Sequence, residues 1–113
     1  MTCGSLEIDI LNSIWELAEV SEGSDISIQD VVDHLSNKGI ERAYTTIKTV
    51  MDRLTLKSVL VRYKSGKKFF YSAAMQKDEM ALEAINKVIN NFFDGNSASL
   101  IRFVEEKHSL LVK

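Results

Sequence analysis

ERAYTTIKTVMDRLTLKSVLVRYKSGKKFFY, Glu41 to Tyr71, reads as an amphipathic helix, an apolar exit and a short hairpin. The helix takes up ERAYTTIKTVMDRLTL, the exit is SVLV, and the hairpin RYKSGKKFFY turns at Ser65-Gly66. Wound with the helical period over 42–54, Ile47, Val50, Met51 and Leu54 fall on one side and Arg42, Thr45, Lys48, Thr49 and Asp52 on the other. The first side must be buried, and the second is small, polar and able to hydrogen-bond to something outside the fold. The spacing predicts a helix from about residue 42 to 57 with strands near Val59–Tyr63 and Phe69–Tyr71.

A helix followed at once by a basic hairpin is the plan of a winged helix, in which the helix enters the DNA major groove and the hairpin reaches across the backbone. The charge distribution agrees. Residues 1–37 carry a net −8 with no Lys or Arg, residues 38–68 carry +7, and residues 69–113 carry −1. The overall −2 conceals a basic block confined to the helix and hairpin, and local rather than total charge neutralises phosphates. Arg62, Lys64, Lys67 and Lys68 crowd one hairpin and repel each other unless an anion or solvent screens them. The bland alternative is a solvated hairpin tip.

At 113 residues the chain is long enough for one dependable core. Proline is absent and Gly scarce, which favours helix over a turn-rich all-strand fold. Apolar residues recur helically from residue 5 to about 20: Ile10, Leu11, Ile14, Trp15, Leu17 and Ala18, with Gly4 or Ser5 as the cap. Trp15 continues that stripe and is expected in the core or at a domain junction. After the polar link SEGSD, Ser27 and Asp30 form a capping-box variant that opens a helix from 28 to about 37, burying Ile28, Val31, Val32 and Leu35. His34 is expected at the surface, and Asn37 or Gly39 supplies the left-handed backbone that closes the helix. Two short helices and a tight turn before a polar-faced third are helix-turn-helix geometry in outline.

From about Gln76 to Phe93 the helical period returns, with Leu82, Ile85, Ile89 and Phe92 on one face and Phe93 at its end. Asp94-Gly95-Asn96 breaks it, and Ser97 or Ser99 starts a last helix carrying Leu100, Ile101, Phe103, Val104, Leu110 and Leu111. This tail has more apolar surface than a small winged domain covers, so a second copy of the chain is the simplest partner for it. The alternative is a monomer in which the tail folds back onto the first helix. The organisation expected is residues 1–74 as a winged-helix DNA-binding domain and 75–113 as a helical dimerisation region.

The chain resembles the penicillinase repressors and methicillin-resistance regulators, a family that includes copper-responsive repressors. The motifs are E-x-x-I-L-x-x-I-W over Glu7–Trp15, I-S-I-Q-D-V-V from Ile26, Y-T-T-I-K-T-V-M-D-R-L over Tyr44–Leu54, K-K-F-F-Y from Lys67, and F-F-D-G over Phe92–Gly95. The resemblance implies a dimeric repressor on an inverted-repeat operator. Its recognition-helix positions fall on Tyr44, Thr45, Thr46, Lys48, Thr49 and Arg53, and its wing positions on Lys64, Lys67 and Lys68. The family's glycine after the recognition helix is Ser58 here. Where beta-lactam-responsive members are cut at an Asn-Phe pair, this chain has Arg102, Phe103 and Val104, and the cysteine motif of the copper-responsive members is absent.

No enzymatic chemistry stands out. His34 and His108 lie far apart without a nucleophile or metal-ligand pattern, Cys3 is the one cysteine, and no Gly-rich phosphate loop occurs. No apolar run reaches the roughly 18 residues of a membrane span and no signal segment is present, so a cytoplasmic protein is expected. The reading is a mainly α protein with a small β-wing, a winged helix-turn-helix plus C-terminal dimerisation helices. It would act as a homodimeric, sequence-specific repressor of double-stranded DNA without cofactor or metal. Bases would be read by Thr45, Thr46, Lys48 and Thr49, and backbone held by Arg42, Tyr44, Arg53, Arg62, Lys64, Lys67 and Lys68. The dimer would be held by Leu82, Ile85, Ile89, Phe92, Phe93, Leu100, Ile101 and Val104, with an upstream sensor or protease as a further partner. The alternative is a winged helix that binds protein and not DNA.

Overall fold

The computed structural model describes residues 4–21 and 25–111. Cys3 and residues 22–24 of the SEGSD link therefore lie outside the described residues. The fold is mainly helical with one two-stranded sheet, in the order α1 (Ser5–Val20), α2 (Ile28–Asn37), α3 (Tyr44–Leu56), β1 (Leu60–Ser65), β2 (Lys68–Ala73), α4 (Lys77–Phe92), α5 (Ser97–Glu106) and α6 (His108–Leu111). It separates into two compact units that divide between Lys77 and Asp78.

In the first unit the apolar stripes meet as their spacing requires. Ile10, Leu11 and Ile14 of α1, Val31 and Leu35 of α2, and Ile47, Met51 and Leu54 of α3 are all fully or almost fully buried, and Val50 is buried with them. Each such side chain contributes about 1.5–3 kcal/mol of burial. Val59, Leu60 and Tyr71 close this core from the hairpin side. Three helices and a hairpin in this order are consistent with a winged helix. Val32, expected to be buried, is half-buried.

Local chemistry sets the ends of the helices. Gly4 precedes α1 and its N–H donates to the Glu7 carboxylate at 3.1 Å. At α2, Ser27 Oγ accepts from the Asp30 N–H at 3.1 Å while Asp30 Oδ2 accepts from the Ser27 N–H at 2.9 Å, a reciprocal capping box. Gly39, at φ +82°, reverses the chain after α2. The third helix starts at Tyr44 and not near 42, because Ala43 is extended (φ −64°, ψ 147°) and serves as its N-cap. Arg42 thus belongs to the lead-in. Ser58 follows α3 at φ +64°, so a non-glycine residue does bear the left-handed turn.

The hairpin is antiparallel with Arg62 opposite Tyr71, Lys64 opposite Phe69 and Ser65 opposite Lys68. This register corrects the expected turn from Ser65-Gly66 to Gly66-Lys67. Ser65 still pairs, and Gly66 at φ +66° takes the first central position, where a two-residue turn needs positive φ. On its other edge β2 pairs with Ile26, whose carbonyl accepts the Tyr71 N–H at 2.8 Å. Trp15, half-buried, donates its indole N–H to the Met75 carbonyl at 3.0 Å and so fixes the chain after β2 to α1.

His34 is a second correction. It is half-buried, with Nδ1 3.0 Å from Ser13 Oγ and Nε2 3.2 Å from Glu16 Oε2, while Lys38 closes on the same carboxylate at 2.6 Å. The bonds tie α2 to α1, and they satisfy the hydroxyl of Ser13, which is fully buried.

In the second unit Asp94 (φ 51°) and Gly95 (φ 75°) end α4 in left-handed backbone. As expected, the helix after the break starts at Ser97; its cap is Asn96, whose Oδ1 accepts from the Ser99 N–H at 3.2 Å, and the single last helix expected is interrupted at Lys107, before α6. The rings of Phe93 and Phe103 lie 5.4 Å apart and join the end of α4 to α5.

Candidate nucleic-acid interface

The outward face of α3 carries Thr45, Thr46, Lys48 and Thr49, all exposed. At about 3.6 residues per turn Thr45 and Thr49 share its centre, Tyr44 and Lys48 one flank, and Thr46 and Arg53 the other. Thr49 Oγ1 donates to the Thr45 carbonyl at 2.9 Å, which restrains its rotamer while the residue stays exposed. Tyr44 is 46% exposed although aromatic, so α3 presents a ring as well as hydroxyls to solvent.

The Tyr44 and Lys48 flank faces the hairpin. Tyr44 and Lys48 of α3, Arg62 of β1 and Lys68, Phe69 and Tyr71 of β2 line one groove of about 450 Å³, floored at the start of α2 by Ser27, Ile28 and Gln29. Four of the residues expected to touch nucleic acid are thereby brought together. The Arg62 guanidinium sits 4.6 Å over the Phe69 ring, and Lys64 Nζ lies 5.9 Å from the same ring. Lys64, Lys67 and Lys68 are exposed along the hairpin and its tip.

Arg42 and Arg53 are among the expected contacts that do not line the groove. Arg42 donates Nη1 to the Glu41 carbonyl at 2.7 Å in the lead-in to α3. Arg53, on the opposite flank, is close enough to Glu7 to help hold that carboxyl below its ordinary range, behind the larger effects of the Gly4 N–H and of Lys57.

Asp52 lies among these cations. Its Oδ2 accepts from Lys48 Nζ at 2.7 Å, and its Oδ1 accepts from the Tyr71 hydroxyl at 3.3 Å and lies 3.8 Å from Arg62 Nη1. The Asp52 hydrogen bond and charge raise the Lys48 pKa, keeping the ammonium charged. Burial, then the Asp52 charge, raises that of Tyr71, keeping the phenol protonated as a donor. Geometry adds Gln29, Phe69 and Tyr71 to this surface, and it ties Asp52, already on the polar face of the helical pattern, to the hairpin. One signal pointed at two of them: the two-residue spacing that puts Phe69 and Tyr71 on one strand face.

In the second unit, Leu82, Ile85, Phe92, Ile101 and Val104 are 59%, 45%, 76%, 57% and 40% exposed. Ile89 is buried, and Phe93 and Leu100 are half-buried. No helix among the described residues is long and apolar enough to cross a membrane.

The penicillinase repressor family model matches residues 3–111. The chain is 28% identical over 95 residues to the penicillinase repressor of Staphylococcus aureus, which covers 84% of this chain and 70% of that protein.

Proposed function

We propose that this chain, which belongs to the penicillinase repressor family, is a sequence-specific transcriptional repressor that binds an inverted-repeat operator as a homodimer in the cytoplasm. In this reading residues 1–74 are a winged helix-turn-helix and 75–113 hold two copies together. The observation that carries it is the polar face of α3 flanked by a groove into which Lys48, Arg62 and Lys68 converge. Hydroxyls and methyls at the centre suit base edges, and cations at the flank suit phosphates. Thr45, Thr46, Lys48 and Thr49 read bases, while Arg42, Tyr44, Arg53, Arg62, Lys64, Lys67 and Lys68 hold backbone.

The dimer rests on apolar residues that a single chain leaves in water, above all Leu82, Ile85, Phe92 and Ile101. Two linked half-sites gain from effective concentration, so an upstream sensor or protease that weakened the tail would release the operator without touching α3. Selection of bound sequences from a random duplex pool by the purified chain tests the function. Enrichment of an inverted repeat is the expected result, and a pool that stays unenriched overturns the proposal.

A further inference from the structure

An affinity-only account has no use for Asp52. Its carboxylate lies on the surface proposed to meet phosphates, where a negative charge opposes binding. Fold stability is a weak reason for it too. The Lys48–Asp52 pair is half-exposed, and with the lysine N-terminal to the acid it has the less favourable order along a helix. Yet three elements converge on this one side chain: Lys48 of α3 at 2.7 Å, Arg62 of β1 at 3.8 Å and Tyr71 of β2 at 3.3 Å. Arg62 and Tyr71 are cross-strand partners, Tyr71 is 2% exposed, and the Arg62 guanidinium also sits 4.6 Å over the Phe69 ring. The carboxylate thus holds Lys48 by a hydrogen bond and draws the Arg62 guanidinium toward it before any ligand arrives.

We infer that Asp52 is a specificity-determining positioning residue. It holds Lys48 and Arg62 back from indiscriminate phosphate contact and aims them along the groove, giving up non-specific affinity to keep discrimination between base sequences. The inference rests on the DNA-binding function proposed above. A cation free to swing satisfies any duplex, whereas one held by a second group gains most where the duplex places an acceptor along its fixed direction.

The test uses the full chain, a duplex recovered from the random pool and a scrambled duplex, with binding followed by fluorescence anisotropy across a salt series. Asp52→Asn keeps the volume and an acceptor for Tyr71 while removing the charge. It is expected to tighten scrambled-duplex binding about 3- to 10-fold and to steepen the salt slope by about 1 to 2 per protomer as freed cations find phosphates. The ratio of selected to scrambled affinity should fall about fivefold or more. Asp52→Glu keeps the charge and moves the carboxylate, so scrambled binding should hold while the ratio falls. In a Lys48→Gln, Arg62→Gln background the effect of Asp52→Asn should vanish, which removal of a charge acting at long range would not produce. An unchanged salt slope and ratio in Asp52→Asn, or an effect that persists in that background, overturns the inference and leaves DNA binding standing. A wild-type chain that binds both duplexes equally removes the DNA-reading function, and the role of Asp52 with it.

Discussion

Lys57, at the end of α3, places its ammonium 3.0 Å from the carboxylate of Glu7 at the start of α1, fifty positions earlier in the chain. Glu7 also accepts the Gly4 N–H, and that bond, followed by the one from Lys57, holds its carboxyl below the ordinary value of 4.5 against the opposing effect of burial. The unfolded chain therefore binds the proton first as pH falls. The contribution of Glu7 to stability is fully present above the ordinary value and is lost as pH drops through the lower folded one. Glu7→Gln should cost about 1–2 kcal/mol at neutral pH. Urea unfolding at a series of pH values should show the gap between variant and wild type closing in acid, and equal stability at neutral pH would contradict it.

Ser58 offers a gain. At φ +64° it occupies backbone that costs a side-chain-bearing residue about 1 kcal/mol or more. Ser58→Gly should raise stability by about 0.5–1 kcal/mol in urea titrations, since relief of that strain outweighs the freedom glycine gives the unfolded chain. Ser58→Ala keeps a Cβ and should not reproduce the gain.

The proposed dimer makes a prediction about the tail. Ile85, 45% exposed in the single chain, lies on the α4 face that includes Leu82 and Phe92. Ile85→Asp would bury an unpaired charge in the interface and should turn a dimer at tens of micromolar into a monomer in sedimentation equilibrium. Its far-ultraviolet circular dichroism should stay unchanged. A wild-type chain that sediments as a monomer at the same concentration would contradict the interface.

How much of this was legible in the sequence depended on how local the cause was. Ile47, Val50, Met51 and Leu54 announce their burial by spacing alone, and Ser27 with Asp30 announces a cap because both partners lie within one turn. His34 was misread because its partner Ser13 comes from another helix twenty-one positions away, a packing fact no local pattern carries. The hairpin turn was misplaced by one residue because Ser65 has turn-forming chemistry, whereas pairing with Lys68 fixes it in the strand. The start of α3 slipped because Arg42 fits the polar face of the helical pattern, while the extended backbone of Ala43 excludes it. In the candidate site, the threonines and lysines were visible as a pattern. Asp52 as their hub was not, because Arg62 and Tyr71 reach it only once the hairpin docks on α3.

The hairpin lysines should act through charge alone. Lys67 and Lys68 are exposed at and beside the turn. Replacing both with Ala should weaken selected and scrambled duplexes alike and flatten the salt slope by up to about 2 per protomer. A loss confined to the selected duplex would give them a base-reading role instead.

The central claim is that the outward face of α3 reads base sequence. Thr45 and Thr49, one turn apart and linked by the 2.9 Å bond from Thr49 Oγ1 to the Thr45 carbonyl, are its centre. The most direct test is the ratio of affinities for selected and scrambled duplexes, measured by fluorescence anisotropy, in Thr45→Ala and Thr49→Ala. The account predicts a loss of about 1–3 kcal/mol on the selected duplex with scrambled binding nearly unchanged. A ratio that stays at the wild-type value in both variants would contradict it and point to a winged helix whose α3 face docks on protein.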